Sequence, residues 1–338
     1  MASLRTNVKK LLSVFLVCLL LIPIQASAAN QSLWEDARDG QRGGTIGGLT
    51  IPISNNSSIK SIQSNVSNLP QIIEIYTATW CTNCVTTESI VNEITEDSNV
   101  KMINYHRYKY EVRDPFGSQK TDNRWETVYG ESSVRISSEY GLSSTRVAPT
   151  IVFDGERLHL GTTTKSSSLK TDYSSSMAVQ SSNEFTGEIY FSMEYNSIDQ
   201  NNSRNFFWDT SNLNIQCFEN CHLIETSQSN ETIINQKSTL KISPWIMIIE
   251  ESINYPAGAN GKGNYSNVLH EAFELTNLSG NTSIKLPNTW DGDDLMAVLI
   301  MDWSSEEIIT EDNQILPFPS IFIFLSILLA SVIPQRKK

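Results

Sequence analysis

The chain has 338 residues and carries 25 lysine and arginine side chains against 37 aspartate and glutamate side chains, which gives a net charge of −12 at pH 7. This acidic balance argues against nucleic acid as a partner, because binding to phosphates requires clustered positive charge. The length accommodates two ordinary domains together with targeting segments.

Residues 1–28 have the pattern of a secretory signal peptide. Three basic residues precede an apolar run over 11–24, and a small-residue Ala-Ser-Ala triplet ends at Ala28. A retained N-terminal anchor is the alternative. An exported chain can form disulfides, and four cysteines, an even number, lie outside the signal.

A polar stretch rich in Ser, Asn and Gly follows, and we interpret 29–70 as a linker with one short strand near Leu49–Ile53. Asn-x-Ser/Thr triplets, the acceptor sequence for N-glycosylation, occur throughout the exported part. They begin at Asn30, Asn55, Asn56, Asn65, Asn201, Asn230, Asn264, Asn277 and Asn281. They predict a glycoprotein, although an Asn-rich chain also produces such triplets by chance.

The most informative stretch is an apolar, β-rich run that ends in Trp80-Cys81-Thr82-Asn83-Cys84 and passes into a helical pattern. The two cysteines should therefore stand where a strand hands over to a helix. The first helical turn has unpaired N–H groups and the positive end of the helix dipole, and both favour a thiolate. The thiolate is the attacking species in disulfide exchange. We assign Cys81 as the nucleophile and Cys84 as the resolving thiol.

A second motif, Ala148-Pro149-Thr150, opens another β-rich run. Together with the Trp-Cys-x-x-Cys motif it resembles the thioredoxin superfamily, in which a cis proline lies against the cysteine pair. An X-Pro bond retains only about 0.5–1 kcal/mol of trans preference, so the cis form is accessible. The resemblance implies that Trp80 shields the pair and that Ala148, Pro149 and Thr150 form a substrate groove, where the backbone of Ala148 could pair with an extended peptide.

We interpret 71–182 as a thioredoxin-like domain with its second strand at Val100–Tyr105. The chain between this strand and Pro149 is longer than a minimal thioredoxin needs. We expect a helical insertion there, capped by Thr121. Its Trp125 either packs beneath the substrate surface or helps to build it, and we favour packing.

One departure from the thioredoxin pattern concerns a buried acid. In thioredoxins and protein disulfide isomerases this acid stands six residues before the first cysteine and helps to move the proton of the resolving thiol. Here that position is Ile75, and the nearest acid is Glu74. On a strand, a shift of one residue turns the side chain to the other face. We therefore expect Glu74 not to serve, unless a bulge corrects the register.

Residues 183–304 contain six or seven short alternating runs separated by Asn-, Gly- and Pro-rich turns, which predicts an antiparallel β-sandwich. A thioredoxin-like head followed by such a tail resembles a family of exported microbial surface and outer-membrane proteins. The shared elements are Asp114-Pro115-Phe116-Gly117, Glu250-Glu251, Asn260-Gly261, the Leu-Pro-Asn-Thr-Trp run at 286–290 and a strand ending in Met301-Asp302-Trp303. This resemblance implies a fold and a location rather than a reaction.

The C-terminus reads as an acidic stalk over 305–314, a transmembrane helix over 315–333 and a basic tail over 334–338. Leu316–Ile333 is 18 residues without charge. At ~1.5 Å per residue it is just long enough for a hydrocarbon core of ~30 Å. The basic tail places the C-terminus in the cytoplasm. A microbial sorting signal that is cleaved after export is the alternative.

The remaining candidates have simpler explanations. We expect Cys217 and Cys221 to form a local structural disulfide, although they could be a second redox pair or join Cys81 and Cys84 in a zinc site. His106 either lies near the cysteines or is an ordinary surface or packed residue. Asp291–Asp294 reads as a solvated turn rather than a calcium loop. We expect no metal and no cofactor.

These patterns predict an α/β thioredoxin-like domain followed by an all-β sandwich-like domain, with a signal peptide and a C-terminal transmembrane helix. Our hypothesis is a thiol–disulfide oxidoreductase in the cell membrane, single-pass, with both domains extracytoplasmic. It would act on thiols or disulfides of exported proteins through Cys81 and Cys84, and exchange electrons with a membrane partner. The alternative is a cell-surface binding or adhesion protein whose thioredoxin-like domain lacks significant redox activity.

Overall fold

The computed structural model describes residues 32–38, 42–53, 59–109, 112–179, 184–195, 202–216, 221–224, 232–235, 238–292 and 294–307. From Trp34 onward these residues belong to one compact unit. The expected signal peptide, the transmembrane segment and the basic tail lie outside the described residues. Within the described ranges, no helix is long and apolar enough to cross a membrane.

The described chain is mostly strand, with few helices. The strands are β1 Glu35–Asp36, β2 Arg42–Pro52, β3 Lys60–Asn65, β4 Gln71–Thr77, β5 Val100–His106, β6 Thr150–Phe153, β7 Arg157–Leu160, β8 Glu184–Thr186, β9 Glu188–Tyr195, β10 Ser203–Asp209, β11 Asn214–Gln216, β12 Cys221–Ile224, β13 Thr232–Asn235, β14 Ser238–Asn254, β15 Asn264–Glu274, β16 Ser279–Lys285 and β17 Leu295–Glu307. The helices are α1 Thr82–Thr95, α2 Gln119–Ser138 and α3 Leu169–Ala178, and Val66–Asn68 forms a 3-10 turn.

Eleven strands form one mixed sheet in the order β1-β7-β6-β4-β5-β15-β14-β13-β12, with β17 pairing to β14 and to β2. Strands β4 and β5 are parallel and joined through α1, while β6 runs antiparallel to β4. The sheet continues into the C-terminal part of the chain where Asn104 of β5 faces Val268 of β15 in a parallel pair. Strands from both sides of the domain boundary expected near residue 182 share this sheet. The boundary itself stays a prediction.

Both faces of the large sheet are covered. On one face α2 packs through Trp125, Tyr129 and Ile136 against side chains from β4, β5, β14, β15 and β17. On the other face, α1 and α3 cover β4 and β6 through Val91 and Tyr173. A second sheet, β16-β10-β9-β3, packs there against β2, β14 and β17. Trp125 is fully buried, so the packing role that we favoured for it is confirmed.

The stretch expected as a linker contains strands β1, β2 and β3, and β2 is longer than the one short strand expected there. Leu49 and Ile51 of β2 are buried in the core, and β2 pairs with β17 along its length. The glycine-rich composition suggested a loop. In the structure, these glycines let neighbouring residues approach the β2 backbone closely. A Cβ on Gly44 would lie 2.8 Å from the Asp154 carbonyl oxygen, so no larger residue fits.

Three further features differ from expectation: a helix cap, the number of strands and the end of one strand. Helix α2 is capped by Ser118, whereas Thr121, the expected cap, supplies the reciprocal hydrogen bond of a capping box. The described part of the chain after residue 183 contains ten strands rather than six or seven, and the short strands β8, β12 and β13 are among those that were not expected. Strand β17 continues to Glu307, into the segment expected as a stalk.

Candidate functional site

A disulfide between Cys81 and Cys84 stands at the N-terminus of α1, directly after β4. Cys81 is the N-cap residue, and its Sγ accepts a hydrogen bond of 3.2 Å from the backbone N–H of Cys84. Cys84 is fully buried, whereas 6% of Cys81 is exposed, so Cys81 is the more exposed residue of the pair. After reduction, the N-terminal N–H groups and dipole of α1 would stabilise a thiolate at Cys81.

The loop before β6 lies against this disulfide. The Ala148–Pro149 peptide bond is cis, as the sequence predicted, and Ala148 packs on the cluster of Ala78, Cys81 and Cys84. Thr150 is fully buried and donates a hydrogen bond of 2.6 Å from its hydroxyl to the Val147 carbonyl. The structure therefore brings the two predicted motifs together, while the roles of these residues stay predictions.

Trp80 also packs against the cysteine cluster, and the guanidinium carbon of Arg107 lies 5.9 Å from the centre of its ring. Both side chains are half-buried. The indole Nε1 of Trp80 and the Nε of Arg107 are shielded from solvent and have no acceptor among the described residues. Two hydrogen-bond donors beside the cysteine cluster are thus unpaired within the described residues.

His106 and Asp114 form a buried pair that contacts the backbone leading to the disulfide. The His106 Nδ1 lies 3.0 Å from Asp114 Oδ1, and the Asp114 carboxylate accepts hydrogen bonds from the backbone N–H groups of Thr79 and Phe116. Burial raises the pKa of the Asp114 carboxyl, but the bonds from His106 and the two N–H groups more than offset it, so the pKa lies below its usual value. The pair fixes Thr79, two residues before Cys81.

The turn between β14 and β15, residues 255–263, reaches this site from the C-terminal part of the chain. The Asn260 backbone N–H donates to the Thr79 carbonyl over 2.9 Å, and its side-chain amide donates to the Ala78 carbonyl over 3.2 Å. The Tyr265 hydroxyl holds Asn260 through a 2.7 Å bond to Oδ1. The β14–β15 turn therefore fixes the backbone that leads into Cys81.

Glu88 lies on α1, one turn beyond Cys84, and is buried. Its Oε1 accepts a 2.5 Å hydrogen bond from the Thr77 hydroxyl, and its Oε2 pairs with Lys262 of the β14–β15 turn. Sequence reasoning missed Glu88, Asp114 and Lys262. For Glu88 a signal existed, because it follows Cys84 by four residues and so shares its buried helical face.

Glu74 faces away from the cysteines, in agreement with the expectation from its register. Strand β4 pairs without a bulge, and Glu74 accepts hydrogen bonds from the hydroxyls of Tyr105 and Tyr129 on the side of α2. Arg124 donates to Glu74 over 3.0 Å and to Asp302 over 2.8 Å, with all three side chains buried. This network joins β4, α2 and β17, and it has no contact with the disulfide in the described structure.

The remaining candidates contribute no further site. Cys217 lies outside the described residues, as does the side chain of Cys221, so their predicted disulfide stays a prediction. Within the described ranges no group of three or more His, Cys, Asp or Glu residues is arranged to hold a metal ion. Asp291 and Asp294 accept hydrogen bonds from the backbone N–H groups of Asn254 and Ser252, and so support β14.

No protein-family model matches the chain, and no curated protein matches it. Among solved structures, a crystal structure of an Agrobacterium tumefaciens protein aligns with 8% identity and a TM-score of 0.34, over 68% of this chain and 93% of that one. HBP35 of Porphyromonas gingivalis aligns with 12% identity and a TM-score of 0.28, over 72% of this chain and 65% of that one. At these TM-scores the two likenesses carry no argument about function.

Proposed function

We propose that the protein is a thiol–disulfide oxidoreductase with a thioredoxin-like head and a β-sandwich tail. The observation that carries this proposal is the placement of the Cys81–Cys84 disulfide at a helix N-terminus, with Cys81 the more exposed of the two residues and the Ala148–Pro149 loop packed against them. A helix start lowers the pKa of a cysteine thiol, and a partly reachable sulfur can be attacked. Buried structural disulfides need neither feature.

The reaction needs only the two cysteines and a substrate. In the reduced protein the Cys81 thiolate attacks a substrate disulfide, forms a mixed disulfide and releases one substrate thiolate. Cys84 then attacks Cys81 Sγ, which forms the Cys81–Cys84 bond and expels the second substrate thiolate. The substrate gains two electrons and two protons, and the protein loses them. The reverse sequence oxidises a substrate dithiol.

We also propose the setting in which this reaction occurs. The pattern of residues 1–28 supports export, and the pattern of 315–333 supports a single-pass anchor with a cytoplasmic tail. Substrates would then be thiols or disulfides of exported proteins, with a membrane protein as electron partner. The described sequon residues Asn65, Asn264, Asn277 and Asn281 are all exposed, which supports glycosylation.

Insulin reduction with dithiothreitol as electron donor tests the reaction. We expect Cys81→Ser to lose turnover to the uncatalysed background, and Cys84→Ser to accumulate a mixed disulfide with the substrate. Thr86→Ser, a conservative change at an exposed position of α1, serves as the matched control and should keep the parental rate. Parental turnover in Cys81→Ser would defeat the proposal.

One observation favours the second candidate, a surface binding protein with an inert disulfide. Cys84 is fully buried and Cys81 nearly so, which restricts access to the bond. Equilibration with glutathione or dithiothreitol buffers discriminates between the two. A reduction potential between about −270 and −120 mV matches known dithiol oxidoreductases, whereas a value below about −300 mV matches a structural bond.

A further inference from the structure

The resolving step requires Cys84 to lose a proton in a place that water does not reach. Cys84 is fully buried, and burial raises the pKa of a thiol. On the face of β4 that packs against α1, the strand presents Ile73, Ile75 and then Thr77. Glu74 points to the opposite face, where Arg124 holds it. A proton acceptor for Cys84 must therefore come from another element.

Glu88 has the required position. It follows Cys84 by four residues on α1, and residues with this spacing are neighbours on a helix surface. Helical side chains tilt toward the helix N-terminus, which directs the Glu88 carboxylate back over the turn that carries Cys84. The hydrogen bond from Thr77 holds this carboxylate at the end of β4, one residue from Ala78, which packs on both cysteines.

Lys262 supplies the positive charge next to Glu88. It comes from the β14–β15 turn, pairs with Glu88 and lies over the ring of Tyr265. The other ionisable groups that face this pocket are Tyr265 itself and, behind it, the His106–Asp114 pair. Burial, followed by the charges of Asp114 and Glu88, raises the pKa of Tyr265 to about 12, so this hydroxyl stays neutral.

We propose that Glu88 accepts the proton of the Cys84 thiol when Cys84 resolves a mixed disulfide, and that Lys262 holds the Glu88 carboxylate in position for this step. The proposal rests on the proposed redox function. In the step, the proton passes from Cys84 Sγ to a Glu88 oxygen, the Cys84–Cys81 bond forms and the bond from Cys81 to the substrate breaks. The substrate leaves as a thiolate, and Glu88 later returns its proton to solvent.

A single-turnover measurement of the resolving step tests the role of Glu88. A thionitrobenzoate group is placed on Cys81 of the reduced protein, and its release by Cys84 is followed across pH. We expect Glu88→Gln to slow release about ten-fold or more at pH 7 and to change the pH profile of release. Glu88→Asp should restore part of the rate. The matched control is Glu93→Gln on the same helix, where the exposed Glu93 pairs with Lys170.

Lys262→Met gives an independent variant that keeps Glu88 itself. It removes the partner that holds the Glu88 carboxylate, so we expect release to slow. A Glu88→Gln protein that resolves at the parental rate with the parental pH profile overturns the inference. A Lys262→Met protein that resolves at the parental rate overturns it as well.

A titration separates this inference from the proposed function. In Cys81→Ser protein, the pKa of the Cys84 thiol is measured with and without Glu88→Gln. A nearby carboxylate raises a thiol pKa, so Glu88→Gln should lower it. If the parental protein reduces no substrate but Glu88→Gln lowers the pKa of the Cys84 thiol, the redox function fails while the interaction between Glu88 and Cys84 stands. If the parental protein turns over and the pKa is unchanged, the inference fails alone.

Discussion

At the residue scale, buried ionisable groups make the fold sensitive to pH. The His159 Nε2 lies 2.7 Å from the Ser176 hydroxyl, and burial lowers the pKa of His159 to about 4, opposed by the charge of Asp172. Burial raises the pKa of Asp154 to about 6, although Arg157 donates to its carboxylate over 2.6 Å. The two groups have opposite effects on stability over a similar pH range.

His159 therefore gives a signed prediction. The unfolded imidazole binds a proton near pH 6.5 and the folded one near pH 4, so the unfolded state binds more protons between these values and the fold loses stability as pH falls. We expect the stability of the parent relative to His159→Gln to fall by up to ~3 kcal/mol between pH 7 and pH 4. Urea unfolding of both proteins at each pH measures this, and the shared contribution of Asp154 cancels. An unchanged difference would contradict the assignment.

Individual residues of the site were predictable to different degrees. Cys81, Cys84 and Pro149 belong to short motifs whose chemistry follows from their local sequence. Glu88 and Asp114 act through contacts with Thr77 and Thr79 that depend on the tertiary fold. A sequence shows which carboxylates exist, but their partners become known only when the strands and loops are placed.

At the scale of elements, helix α2 packs on both parts of the large sheet, on β4 and β5 and on β14, β15 and β17. Its capping box at Ser118 starts it, and its inner face carries Arg124, whose guanidinium binds Glu74 of β4 and Asp302 of β17. Burial raises the pKa of the Asp302 carboxyl, but the charges of Arg124 and Arg38 more than offset this and hold it below its usual value. Arg124 is therefore the cation that the two buried carboxylates share.

Removal of Arg124 should be costly. We expect Arg124→Met to destabilise the protein by about 3–5 kcal/mol, because it leaves two carboxylates buried with fewer charge partners. Lys120→Met on the same helix is the control. Lys120 is exposed where it pairs with Glu271, so its loss should cost less than about 1 kcal/mol. Urea unfolding compares the two variants, and equal losses would show that the buried network contributes little.

Elements with a strong pattern were predicted well and glycine-rich ones were not. Strands β4 and β5 lie within a residue or two of their expected positions, and a helix follows Cys81 as expected. Of strand β2 only the last part, near Leu49–Ile53, was expected, because Gly43, Gly44, Gly47 and Gly48 obscure the alternation before it. Those glycines reflect neighbours that approach closely in space, which local composition cannot show.

At the scale of the whole molecule, the continuous sheet makes the two halves of the chain interdependent. The Asn104 side-chain amide donates to the Ser266 carbonyl over 2.6 Å, and Lys101 donates to Asn267 over 3.0 Å. The core under α2 combines Ile103 and Trp125 with Met247 from β14. Neither half buries these side chains alone.

This arrangement predicts cooperative unfolding. We expect far-ultraviolet circular dichroism and tryptophan fluorescence to report one coincident thermal transition, because the shared core cannot open in parts. A fragment of residues 71–182 should show no cooperative transition, since it exposes the edge of β5 and the face of α2. Two separate transitions, or a fragment that folds, would instead support two independent domains.

The pairing across the expected boundary could not be deduced from the sequence. A parallel pair leaves no turn residues between its strands, so β5 and β15 carry no mutual signal. Alternation in β14 and β17 correctly indicated strands, but it does not specify which sheet they join.

The hydrogen bond from Asn260 to the Ala78 carbonyl joins positions 182 residues apart. A ribosome makes the cysteines first and the covering turn much later. Until that turn is in place, the backbone that leads into Cys81 lacks the hydrogen bonds from Asn260 that fix it. The surroundings of the disulfide are therefore complete only after the C-terminal part of the chain has folded.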